Sequence, residues 1–159
     1  MRQTRGRGLR IAACLIVLTF GAMTVSAGSA NAAGTGVWTP LKSPAPDLTG
    51  TMLLLTDGTV LVQGYVFGNN WMRLTPDADG NYVNGTWSKV APMSIPRLYY
   101  ASHVLQNGKV WLLGGEYTGF PPTLVWTNTG EMYDPIANTW SPIPHHPEAN
   151  FGDDPSMLL

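Results

Sequence analysis

The chain has 159 residues, of which 44% are hydrophobic and 12% charged. So little charge excludes a disordered tail, a coiled coil and a long amphipathic helical protein. From residue 33 onward five cations (Lys42, Arg73, Lys89, Arg97, Lys109) stand against ten carboxylates, a net of −5, which excludes a nucleic-acid partner because neutralising phosphates takes clustered Lys and Arg.

Residues 1–32 read as a secretory signal peptide. Arg2, Arg5, Arg7 and Arg10 make a basic start, Ile11 to Val25 an uncharged apolar run, and Ala30-Asn31-Ala32 an A-x-A site with cleavage expected after Ala32. The run is short for a membrane span; an uncleaved N-terminal anchor is the alternative. No Arg-Arg pair is present, so export as an unfolded chain is expected. Cys14, the only cysteine, sits within the run. A lipoprotein box needs its apolar stretch ahead of the cysteine, whereas here the stretch follows, so Cys14 is expected to leave with the signal. The remaining chain then has no disulfide, thiolate metal site or thiol nucleophile. Its expected address is extracellular, with no stable membrane insertion.

The rest of the chain repeats itself. Thr56-Asp57-Gly58-Thr59-Val60-Leu61-Val62-Gln63-Gly64 lies over Gln106-Asn107-Gly108-Lys109-Val110-Trp111-Leu112-Leu113-Gly114 at an offset of 50. Upstream, Met52 to Leu55 lies over Ser102 to Leu105. Each block predicts a β-hairpin closed by a two-residue type I′ turn at Asp-Gly or Asn-Gly. Leu74-Thr75-Pro76-Asp77 and Tyr133-Asp134-Pro135-Ile136 predict a third strand entering a proline turn. Trp87 and Trp140 open a fourth, and Trp38 begins a similar piece. The Trp spacings are 49 and 53, so the unit is about 50 residues of four short strands. Pro155 to Leu159 resembles Gly50 to Leu54, the start of a third unit.

These residues carry a resemblance. The doublet Gly114-Gly115, then Glu131-x-Tyr133-Asp134-Pro135 and Asn138-Thr139-Trp140, with Arg97 ahead of the first strand, resembles the kelch repeat of β-propellers. The first unit matches less fully, with Gly64 alone and Leu74 in place of the tyrosine. The resemblance implies an all-β fold of four-stranded antiparallel blades, with Gly64, Trp87, Arg97, Gly114, Gly115, Tyr133, Asp134 and Trp140 in structural roles. It sets the expected organisation as signal peptide 1–32, N-terminal strand and linker 33–49, first blade 50–92, second blade 93–145, and linker with the start of a third blade 146–159. It also implies that the Trp38 strand completes a last blade. Ring closure takes about six or seven blades, so two blades leave an incomplete ring. The chain is expected to be a piece of a longer protein, or one of several copies sharing a ring.

In such a blade the loops joining strands two and three share one rim with those joining strand four to the next blade, a usual place for ligand contacts. The two–three loops carry Tyr65, Phe67 and Trp71 in the first unit and Tyr117, Phe120 and Trp126 in the second. Aromatic faces beside Asn69, Asn70, Glu116 and Asn128 suit sugar rings, which present apolar C–H faces and hydroxyl edges; the plainer reading is that the rings cover the blade ends. The linker residues His145, His146, Glu148, Asn150, Asp153 and Asp154 show no metal-ligand spacing. His103 lies in a strand. Ser88, Ser94, Ser102 and Ser141 lack a nucleophile elbow, and Gly114-Gly115 opens no phosphate-binding helix.

Two functions follow. The first is a secreted, non-catalytic binding module for carbohydrate or protein. The second is part of a galactose-oxidase-like enzyme, in which the resemblance implies one copper held by Tyr and His with a Tyr–Cys cross-link. Tyr99-Tyr100 and His103 do not match that ligand set, and the exported chain has no cysteine. Copper therefore belongs to this reading only through blades of a longer parent. For the chain itself neither catalytic residue nor metal is expected.

Overall fold

A computed structural model describes residues 36–65, 67–119, 121, 123–153 and 156–159. The signal peptide with Cys14, and the side chains of Phe120 and Asp154, lie outside the described residues. The compact unit runs from Val37 to Leu159. It contains eight strands: β1 Thr49–Leu54, β2 Val60–Gly64, β3 Trp71–Thr75, β4 Thr86–Val90, β5 Ala101–Val104, β6 Val110–Leu113, β7 Gly130–Asp134 and β8 Thr139–Ile143. They form two four-stranded sheets in sequence order, with every pairing antiparallel. The two blades close no ring.

The hairpins form where expected but with a different turn. Gly58 N–H donates to the Leu55 carbonyl at 3.0 Å and Leu55 N–H to that of Thr59 at 2.8 Å; Gly108, Leu105 and Lys109 repeat this at 2.9 and 2.8 Å. Only the glycine of each turn has positive φ, +81° at Gly58 and +80° at Gly108. That is a three-residue loop ending in a bulge, because a type I′ turn needs positive φ at both central positions. The cause is side-chain capping. Asp57 Oδ1 accepts the Thr59 N–H at 2.9 Å, and Asn107 Oδ1 that of Lys109 at 3.1 Å. The capped residue keeps ordinary φ and leaves the left-handed conformation to glycine.

The core lies between the sheets. Leu55, Leu61 and Trp71 of the first blade meet Val110, Leu112 and Tyr133 of the second, with Met93 of the connecting segment among them. Trp140 half-fills the seam, its ring 5.5 Å from Trp71 and 4.9 Å from Tyr133 between centroids. One blade alone would leave this apolar face wet, so pairing of blades is what stabilises each.

The strand-four tryptophans tie each blade to the segment before it. Trp140 Nε1 donates to the Ala91 carbonyl at 2.8 Å, and Trp87 Nε1 to that of Ser43 at 3.0 Å. Asn138 adds a second tether by accepting the Ala91 N–H at 2.9 Å. Trp38 makes no strand and is 99% exposed, because no neighbouring strand offers it a ladder.

Candidate functional site

In both sheets the β2–β3 or β6–β7 loop and the strand-four exit reach the same end, opposite the hairpin turns. The β4–β5 linker therefore crosses this loop end. Its anchor is Arg97, 1% exposed. Arg97 Nη1 donates to the carbonyls of Gly114 (2.9 Å) and Thr129 (2.8 Å), while Nη2 reaches Thr129 Oγ1 (2.9 Å) and Glu131 Oε1 (3.2 Å). Glu131 Oε2 accepts the Ser94 N–H at 2.9 Å. Burial lowers the Arg97 pKa, opposed by the Glu131 charge. The ion pair thus fastens the linker to both edges of the β6–β7 loop. Gln63 completes the clamp, donating to the Arg97 carbonyl at 2.8 Å and accepting from the Tyr100 hydroxyl at 2.8 Å. Burial raises the Tyr100 phenol pKa well above its ordinary value.

Above this clamp lies a row of rings. Tyr65 and Phe67 are 5.9 Å apart between centroids, Phe67 and Tyr117 5.4 Å, and Tyr117 and Tyr99 6.4 Å, all edge-to-face. The row crosses from the first blade's loop to the second's and ends on the linker. Three of its members are in the left-handed backbone region: Tyr65 (φ 45°), Tyr99 (55°) and Tyr117 (53°). Such conformations are rare for residues with a bulky side chain, and they hold these rings at the surface. Tyr65 follows Gly64 as Gly115 follows Gly114, and both counterparts have positive φ, 45° at Tyr65 and 112° at Gly115.

The row's far end abuts a second strap. Gly115 N–H donates to the Phe151 carbonyl at 2.6 Å and Asp153 N–H to that of Tyr99 at 2.9 Å. His146 stacks on Phe151 at 4.0 Å between centroids. Glu116, 6% exposed, pairs through its backbone with Leu98 (2.7 and 2.9 Å). Burial and then the Asp153 charge raise the Glu116 pKa.

The expected site residues separate here. Tyr65, Phe67 and Tyr117 come together in the row, and Trp126 lies beside the strap, its ring against Gly152. Trp71 is corrected. It opens β3, is 1% exposed and packs in the core, because its register against Val90 turns the indole toward the second blade. The amides of Asn69 and Asn128 serve the scaffold, donating to the carbonyls of Met93 (2.9 Å) and His146 (2.8 Å). Tyr99 and Asp153 were missed as parts of the row and strap; each is legible only once the linkers are folded over. Among the described residues no group of three His, Cys, Asp or Glu is placed to hold a metal. His103 pairs with Ser156 Oγ at 2.8 Å and stacks on Trp111, away from the loop end.

Residues 97–147 match the family model described as the Kelch motif. This segment contains Arg97, the glycine doublet, Glu131, Tyr133 and Trp140, the residues that build the second blade and its clamp. The second repeat unit is a kelch motif. The chain is 41% identical over 63 residues to an F-box/kelch-repeat protein of Arabidopsis thaliana, covering 40% of this chain and 17% of that protein. It is 29% identical over 80 residues to a galactose oxidase of Gibberella zeae, covering 50% of this chain and 11% of the oxidase. The solved structure of YjhT superposes with a TM-score of 0.54 at 24% identity, over 69% of this chain and 31% of that one, a likeness of fold. The chain thus spans less than a fifth of either curated relative's length. Among the described residues no helix is long and apolar enough to cross a membrane.

Proposed function

We propose that this chain is a segment of an exported kelch propeller whose loop end binds carbohydrate without catalysing its conversion. The row of rings from Tyr65 through Phe67 and Tyr117 to Tyr99 carries this reading. Tyr65 and Tyr99 are 42% and 52% exposed, and a continuous aromatic surface fits the C–H faces of successive pyranose rings. The phenol hydroxyls supply hydrogen bonds to sugar hydroxyls at the rim. Export rests on residues 1–32, whose basic start, apolar run and Ala-Asn-Ala end have the order of a signal peptide. The test is affinity electrophoresis of the secreted chain through gels containing a panel of polysaccharides. Retardation by at least one, lost in Tyr117→Leu and Tyr99→Leu with unchanged melting, is expected; equal mobility in every gel would contradict the reading.

The similarity to a galactose oxidase over half of this chain favours a second reading, a part of a copper radical oxidase. The described residues do not fit the copper ligand set: His103 is turned to Ser156, His146 is stacked on Phe151, and no third ligand joins either. Any copper would be held by residues other than the described ones. Copper-dependent peroxide release on galactose from a longer parent tests that reading; a copper-loaded parent that releases none contradicts it.

A further inference from the structure

We propose that the β6–β7 loop docks the protein reversibly on a lipid surface of zwitterionic headgroups, with Leu124 and Val125 entering the apolar layer. The inference stands apart from the carbohydrate reading, because it uses the tip of this loop and not the row of rings at its base. Bonds to main-chain carbonyls close the loop. Thr118 donates to the Val125 carbonyl through its N–H (3.3 Å) and its hydroxyl (3.0 Å), and Thr127 N–H donates to that of Gly115 at 3.0 Å. These bonds leave the choice of side chain at 124 and 125 free. Yet Leu124, Val125 and Trp126 stand there 58%, 46% and 37% exposed. Contiguous apolar exposure of this kind marks an interaction surface.

The charge pattern names the partner. From Tyr117 to Gly130 the chain has no Asp, Glu, Lys, Arg or His, so no charge is desolvated when the tip enters an apolar layer. Trp126 is held behind the aliphatic pair, its ring against Gly152 of the strap, and the exposed Tyr65 and Tyr99 lie at the same end. Aliphatic side chains in front with tryptophan and tyrosine behind suit a bilayer, whose headgroup level takes amphipathic rings. The connecting segments of this end (residues 65–70, 91–100, 114–129 and 144–153) contain one Lys or Arg, the buried Arg97, against Glu116, Glu148 and Asp153. Anionic headgroups are therefore not attracted, and apolar contact drives the attachment. A polysaccharide has no use for Leu124 and Val125, which offer neither a ring face nor a hydrogen bond. A protein groove would accept them too, and would leave the chain indifferent to pure lipid.

Co-sedimentation of the secreted chain with phosphatidylcholine vesicles tests this. Half-saturation is expected at roughly millimolar lipid, weaker than for a single myristoyl chain, and no tighter when phosphatidylserine is added. Leu124→Asp with Val125→Asp should lower the partition at least about tenfold, with melting and mobility in polysaccharide gels unchanged. Brominated lipid should quench the chain's fluorescence, and Trp126→Phe should remove that quenching while sedimentation persists. No sedimentation, equal sedimentation of the double variant, or sedimentation only with phosphatidylserine would each overturn the inference and leave the carbohydrate reading standing.

Discussion

Arg97 and Glu131 illustrate how a buried charge fixes a loop. Each hydrogen bond of the guanidinium ends on a segment flanking the rim, so removing it leaves Glu131 buried and uncompensated. Arg97→Ala is expected to cost about 3–5 kcal/mol in chemical denaturation, the range for breaking a buried pair; a loss no larger than that of an exposed control such as Lys89→Ala would contradict the clamp. The sequence showed Arg97 as a repeat residue but hid its partner. Glu131 was legible as part of the Glu131-x-Tyr133-Asp134-Pro135 motif, yet nothing in a linear sequence says which of five cations folds over it. Glu116 makes a different prediction. Its pKa is raised above the ordinary 4.5 by burial and by Asp153, so the folded state holds a proton that the unfolded state has released. What Glu116 contributes to stability is therefore fully present below about pH 4.5 and is lost as pH rises through the raised folded value. Asp134 acts oppositely: the Ala137 N–H and Lys109 hold it below 3.8, and what it contributes disappears as pH falls through that lowered value. Thermal melts from pH 4 to 7 should show the Glu116 decline flattened in Glu116→Gln; an unchanged slope would contradict the assignment.

At the scale of the elements, the hairpins were readable from Asp57-Gly58 and Asn107-Gly108 because turn chemistry is local. The turn type was not, because it depends on whether the Asp or Asn side chain caps the amide two residues on. Strand β3 was displaced for a related reason. Asn69-Asn70 and the aromatics before Leu74 look like loop, but Trp71 pairs with Val90 and takes the register that points it into the seam. Gly114 has φ +74°, and a Cβ there would collide with the Phe151 carbonyl. Gly114→Ala should therefore lift the strap from the β6 end, costing about 1–3 kcal/mol from backbone strain alone. Hydrogen exchange should show Gly115 and Asp153 amides losing protection, while β1 to β4 keep theirs; retained protection would contradict the strap's dependence on the glycine.

For the molecule as a whole, two blades protect one another's inner apolar faces and leave outer ones open. Met52 and Leu54 are 56% and 63% exposed along β1. The repeat period, and with it the all-β blade architecture, could be read because both units carry the same turns and tryptophans at nearly one spacing. The rim was only half legible: Tyr65, Phe67 and Tyr117 lie in loops by any reading, whereas Tyr99 joins them only through the β4–β5 crossing. Trp140 sits where the blades meet, its ring tilted against Trp71 and Tyr133 and its indole N–H donated to the Ala91 carbonyl. Trp140→Ala is expected to cost about 3–5 kcal/mol and to abolish the near-ultraviolet signal of the coupled indoles. Preserved stability would mean that the blades do not pack through this seam.

The placement of ligand on the row of rings is tested most directly by aromatic chemical-shift mapping during titration with the polysaccharide that retards the chain most. The expected result is saturable perturbation of Tyr65, Phe67, Tyr99 and Tyr117, with Trp87 and Trp111 on the blade flanks unmoved. Perturbation centred on those flank tryptophans, or on the hairpin-turn end around Ile136, with a silent row, would contradict it.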